Sequence, residues 1–177
     1  MYRVRHYLLL LFFLGVFYLI LTFGIQESYN ITRSWLDPVV TGGEVTAARW
    51  MRDNIPERAI VNGGIFTGEM FMAVSGVRTS VGGDWFLIND SAEWMMDCEK
   101  IYTSVSSRDA YERAVKRNIS YIFVSPPERK IHCGYGWKAI KREKFRDKRF
   151  FRLVYDRDGV EIYRVKGVRE ASWPLPK

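Results

Sequence analysis

The stretch Tyr7 to Ile25, YLLLLFFLGVFYLILTFGI, runs nineteen positions without a charged residue. As an α-helix rising about 1.5 Å per residue it spans roughly 28 Å, close to the hydrocarbon thickness of a bilayer. The expected element is one N-terminal transmembrane helix. Arg3, Arg5 and His6 stand at its start and Tyr7 at its boundary. The positive-inside rule then keeps the short N-terminus in the cytoplasm and sends everything after Ile25 across. The expected location is the cell membrane, single-pass, with the C-terminal domain outside. A cleaved signal peptide would need a small-residue cleavage site, and Thr22-Phe-Gly-Ile-Gln26 offers none. A core helix of a soluble protein rarely runs this long without a polar face.

The rest of the 177 residues suffices for one domain of ordinary size. The expected organisation is an anchor over 1–25, a stalk over 26–43, an α/β domain over 44–166 and a tail over 167–177. Aromatics at 15% and charged residues at 27% exclude a disordered or wholly membrane-embedded chain.

Gln26 to Gly43 mixes polar residues with Pro38 and the pair Gly42-Gly43, and holds the sequon Asn30-Ile31-Thr32. Thr41 and Glu44 have the spacing of a capping box, so a helix should begin there and end before Pro56. Ala59-Ile60-Val61 reads as a strand, followed by the glycine-bearing turn Asn62 to Gly68 and a helix closed by Gly76. That order is the signature of an α/β unit. Val77 to Val81 reads as a second extended run. Helices are expected over Ala92 to Tyr102, started by Asn89-Asp90-Ser91, and over Arg108 to Arg117, capped by Ser106 or Ser107 and ending at Asn118. Tyr121-Ile-Phe-Val124 is the strongest strand signal. Phe151 to Tyr155 and Val160 to Val165 flank Asp156-Arg-Asp-Gly159, the composition of a hairpin turn. The fold class is therefore α/β, with a mixed sheet and a C-terminal β-hairpin. Ile60, Val61, Ile122, Phe123, Val124, Leu153, Val154, Ile162 and Tyr163 are expected to be buried.

Net charge is +7, and its placement matters more than its size. Between Glu128 and Arg149 nine Lys and Arg face three acids. Beyond a membrane such a patch meets lipid headgroups, lipid phosphates or acidic glycans rather than nucleic acid. Trp137, Ile140 and Phe145 interleave with Lys138, Lys141, Arg142 and Lys144, the pattern of a short amphipathic helix whose basic side chains reach outward. These four are the candidate membrane- or anion-facing residues. A solvated face with no partner stands as the alternative. Cys98 and Cys133 are the two cysteines, and both follow the anchor. A disulfide between them would stabilise the fold by roughly 4 kcal/mol through lost chain entropy. Two free buried thiols remain the alternative.

Gly64 and Thr67, in the turn Asn62 to Gly68, are candidate ligand contacts, because such a turn aims amides and the helix dipole at an anion. It is neither a dinucleotide fingerprint nor a P-loop, and a plain tight turn is the competing reading. Asp84 and Trp85, in Gly82-Gly-Asp-Trp-Phe86, are the other candidates, at the end of an extended run where α/β sheets gather ligand contacts. Core packing of Trp85 competes there. His6 and His132 are the only histidines, so no metal site, no cofactor and no Ser-His-Asp arrangement is expected.

Taken together, several segments resemble the soluble C-terminal domain of prokaryotic multi-spanning membrane glycosyltransferases of the mannosyltransferase and oligosaccharyltransferase type. They are Glu44-Val-Thr-Ala-Ala-Arg-Trp-Met-Arg-Asp-Asn-Ile-Pro56, Ala59-Ile-Val61, Thr67-Gly68, Val81-Gly-Gly-Asp-Trp-Phe86, Tyr121-Ile-Phe-Val-Ser125 and the hairpin from Leu153 to Val165. The resemblance spans about Glu44 to Val165. It implies a setting on the outer membrane face near lipid-linked sugars. In that family the catalytic carboxylates sit in loops of a multi-helix membrane region, which one anchor cannot build. The resemblance thus implies an anchored accessory or binding domain, non-catalytic alone, with the membrane, a multi-spanning protein or a lipid-linked glycan as partner. A subunit completing a partner's glycosyltransferase site, and a surface structural protein, are the alternatives.

Overall fold

The structure, a computed structural model, describes residues 2–36, 40–82, 90–133 and 136–168. The chain divides into two compact units, Met1–Val39 and Val40–Lys177.

The first unit is one helix, α1 (Tyr2–Leu36). Its stretch Leu11–Ser28 has a mean hydropathy of 1.6, long and apolar enough to cross a bilayer. The Thr22 hydroxyl donates to the Tyr18 carbonyl at 2.9 Å, so this polar group is satisfied within the helix. The helix runs beyond Ile25 into the segment expected to be an irregular stalk. Residues 26–36 hold neither glycine nor proline. Adding a residue to an existing helix is far cheaper than nucleating one, so the helix continues until a breaker approaches.

The second unit is a mixed five-stranded sheet with helices on both faces. Its elements are α2 (Gly42–Asn54), β1 (Ile60–Asn62), α3 (Ile65–Ser75), β2 (Arg78–Thr79), α4 (Ser91–Thr103), α5 (Ser107–Lys116), β3 (Tyr121–Val124), β4 (Lys130–Ile131), β5 (Lys138–Ala139), β6 (Phe151–Arg157) and β7 (Val160–Val165). Strand order is β2-β1-β3-β7-β6. β1 runs parallel to β2 and β3, whereas β7 lies antiparallel to both β3 and β6. Strands β4 and β5 form a separate antiparallel pair.

Local chemistry sets the boundaries. Thr41 caps α2 through its hydroxyl, which accepts from the Glu44 amide at 3.2 Å, while the Glu44 carboxylate accepts from the Thr41 amide at 2.7 Å. Ser106 caps α5 by accepting from the Asp109 amide at 3.2 Å. Gly76, at φ 73°, closes α3, and Asn118, at φ 53°, follows α5, both in the left-handed region that glycine and asparagine tolerate. Asp158 and Gly159, at φ 52° and 74°, make the two-residue turn of the β6–β7 hairpin.

Alternation along β3 divides the core. Tyr121 and Phe123 pack with Ala47, Ala48 and Met51 of α2 and Phe71 of α3. Ile122 and Val124 pack on the opposite face with Cys98, Ile101 and Tyr102 of α4 and Ala110 and Ala114 of α5. Removing a ring such as Phe123 from this interior costs about 3–5 kcal/mol. Of the side chains expected to be buried, Ile60 and Val154 are partly buried and Leu153 is 46% exposed on the edge strand. A register shift between Leu153 and Tyr155 turns Tyr155 toward the α2–α3 face, although Phe151 faces the other.

Candidate functional site

Gly64 and Thr67 form an internal cap, not an open anion cradle. The Gly64 amide donates to the Thr67 hydroxyl at 2.8 Å and the Ile65 amide donates to the His132 carbonyl at 2.7 Å. A side chain at Gly64 would sit 3.0 Å from Ile131 and 3.3 Å from the His132 carbonyl. The end of β4 and the residue after it therefore close the turn, and the Gly64 and Ile65 amides are already spent. Beside it His132 meets the rings of Trp137 at 5.3 Å and Phe66 at 6.0 Å, with its buried Nδ1 unpartnered.

The basic segment does not form the expected amphipathic helix. It supplies β5 and a single 3-10 turn over Glu143–Arg146 instead, and its cations diverge. Lys138 lies 3.9 Å from Glu99, and Lys141 is exposed. Arg142 donates to the carbonyls of Ser125 and Gly159 and pairs with Glu161 at 2.9 Å, tying the end of β3 to the hairpin turn. Lys144 is buried. Its ammonium donates to the Tyr102 and Ser104 carbonyls at 2.7 and 2.6 Å, satisfying the C-terminal end of α4, which the helix dipole makes favourable for a cation. Burial pushes its pKa down to about 7, against the pull of Asp109 and Glu143. Lys144 and Arg142 are thus structural, because unsatisfied carbonyls and a carboxylate compete for them more strongly than solvent does.

Cys98 and Cys133 are free and buried, so the disulfide is absent. They flank the β1–α3 turn: the Cys98 carbonyl accepts from Asn62 Nδ2 at 3.3 Å, and Cys133 Sγ donates to the Gly63 carbonyl at 3.6 Å. Burial pushes the Cys98 thiol up to about 12 and raises the Cys133 thiol well above its ordinary value. Asp84 and Trp85 lie outside the described residues. Among the described residues no three His, Cys, Asp or Glu gather as metal ligands.

What the fold does gather is a groove of about 560 Å³ against the β6–β7 hairpin. Cross-strand register builds its floor: Leu153 stands opposite Tyr163, and Asp156 opposite Glu161. The Phe145 ring lies 5.3 Å from Phe151 and 5.5 Å from Tyr163 beneath them. Arg146, Lys148, Arg152 and Lys166 line the remainder. All four are exposed, and none makes an ion pair among the described residues. Burial, with Glu161 nearby, pushes the Tyr163 hydroxyl up, so it is neutral and able to donate at any ordinary pH. Two of these cations lie in the basic segment singled out from sequence, but they are not the four expected there. The missing signal was long-range: Lys166 and Glu161 reach the groove only through the β6–β7 pairing.

No family model matches the sequence, and no curated protein does. Among solved structures, the chain is similar to the C-terminal globular domain of an oligosaccharyltransferase from Archaeoglobus fulgidus. The match has a TM-score of 0.53 at 16% identity and covers 72% of this chain and 99% of that one. The second unit thus has the fold of an archaeal oligosaccharyltransferase globular domain.

Proposed function

We propose that this chain is a membrane-anchored accessory module that works beside a multi-spanning glycosyltransferase or its lipid-linked glycan, without catalysing transfer itself. The observation that carries this reading is the likeness to the oligosaccharyltransferase globular domain, nearly all of which is matched. The apolar side chains of Leu11–Ser28, none of them buried, supply the anchor, since a surface of this size in water has no cover except lipid or another protein. Arg3 and Arg5 keep the N-terminus inside and leave the sheet domain outside. The engagement of four reactive groups is in keeping with a non-catalytic role: Asp97 is held by three cations, Lys144 by two carbonyls, and both thiols are buried.

Protease added to intact cells or spheroplasts tests the arrangement. The domain after Val40 should be digested while an N-terminal tag stays protected. Digestion of the domain only after lysis would refute it.

A further inference from the structure

We infer that the groove against the β6–β7 hairpin binds an acidic saccharide, a sugar chain carrying carboxylate groups. The groove's own side chains carry this inference independently of the accessory-module reading, so each can fail without the other.

Four features converge. The volume, about 560 Å³, falls in the range of built ligand sites and holds a few sugar rings. The charge is asymmetric. Arg146, Lys148 and Lys166 are exposed without an ion pair among the described residues, while Glu161 is already engaged by Arg142 at 2.9 Å. Unspent cations around a recess attract an anion, and the Arg146 guanidinium presents the fork that takes a carboxylate through two parallel hydrogen bonds. A bare inorganic anion would leave the rest of the lining idle. Leu153 is 46% exposed at one wall, an apolar surface suited to the C–H face of a sugar ring. Asp156 makes no ion pair among the described residues either, and its carboxylate accepts hydrogen bonds from hydroxyls. Cations, a carboxylate acceptor and an apolar wall in one recess match a ligand that is at once anionic, hydroxyl-rich and ring-shaped. An anionic bilayer surface fits less well, because it cannot enter a recess with a carboxylate in its wall.

The test is calorimetric titration of the full chain in neutral detergent with four probes: tetragalacturonate, neutral maltotetraose, inorganic phosphate and glycerophosphate, the soluble headgroup of an anionic lipid. Tetragalacturonate should bind at least ten times more tightly than maltotetraose, and its affinity should fall as salt rises. Arg146→Gln with Lys148→Gln should weaken it at least tenfold. Leu153→Glu, which removes the apolar wall and adds a repelling charge, should do the same. Lys141→Gln, an exposed cation away from the groove, should leave it unchanged. All these positions are exposed, so the melting temperatures of the variants verify that each has folded. Equal affinity in the double variant would overturn the inference, as would phosphate or glycerophosphate binding as tightly as the tetrasaccharide, or tetragalacturonate failing to bind at millimolar concentration.

Discussion

The Lys144 ammonium caps the C-terminal end of α4 from the far side of the sequence, donating to the Tyr102 carbonyl at 2.7 Å while burial lowers its pKa from 10.5 to about 7. The folded-state value lies below the unfolded one, so between about pH 7 and 10 the unfolded chain holds more proton than the folded chain. Stability from this group therefore rises with pH across that window, by at most about 1.4 kcal/mol per unit, and is flat below it. Lys144→Met keeps the stem and removes the titration. Urea midpoints at pH 7, 8 and 9 should move in favour of the wild type as pH rises. The unsatisfied carbonyls in the variant add only a pH-independent cost, and thiol and phenol ionisation is common to both proteins. A difference that does not change with pH would contradict the assignment.

Asp97 joins α4 to α5. It is nearly inaccessible and lies 2.7 Å from Arg113, 3.0 Å from Lys116 and 2.6 Å from Arg117. Burial alone would raise its pKa, but hydrogen bonds from those three cations outweigh it and hold the carboxyl below the usual range. Its contribution is present above the ordinary carboxylate pKa and lost as pH falls through the depressed one. Asp97→Asn should destabilise the fold by about 2–4 kcal/mol, because it strands partly buried cations. Glu93→Gln, at an exposed pair with Lys116, should change stability little. Equal effects at the two positions in equilibrium unfolding would show that burial of the pair does not matter.

Gly68 permits α3 to lie against the chain following β2. A Cβ there would stand 2.4 Å from the Val81 carbonyl oxygen, a backbone atom that cannot swing aside. Alanine in a helix gains about 1 kcal/mol over glycine, yet overpacking of this kind costs about 1–3 kcal/mol or more. Gly68→Ala should therefore lower the melting temperature. An increase would mean that α3 has room to move.

The thiols offer a kinetic check. Cys98 is held at a pKa of about 12 and both cysteines are buried, so maleimide should label neither at pH 7 in the folded chain and both at once in denaturant. Stoichiometric labelling of the native chain within minutes would place a thiol at the surface.

The parts of this fold that were legible in the sequence are those decided within a few residues. Thr41 with Glu44, and Asn118, each specify a cap or turn by their own backbone and side-chain chemistry, and the structure places both as expected. Of the two serines offered as the α5 cap it uses Ser106, and of the expected turn Asp156-Arg-Asp-Gly159 it uses Asp158-Gly159, with Asp156 and Arg157 still in β6. Tyr121 to Val124 is apolar at every position because helices cover both faces of its strand. Distant partners hid the rest. A lysine and an arginine in a basic run look like surface charge until the carbonyls of Tyr102 and Gly159 arrive from elsewhere in the chain. Leu153 looks like core until the register shift beside it and its place on the edge strand leave it half exposed. The groove was least legible, since strand register rather than sequence proximity assembles it.

The central claim, an anchored module acting beside a multi-spanning partner, is tested most directly by affinity purification of the full chain from native membranes in mild detergent, followed by mass spectrometry. The account predicts a stoichiometric multi-spanning glycosyltransferase or its lipid-linked glycan, retained when the anchor is exchanged for an unrelated transmembrane helix and lost when the domain after Val40 is removed. Recovery of the chain alone, or of partners that follow the anchor and not the domain, would contradict it.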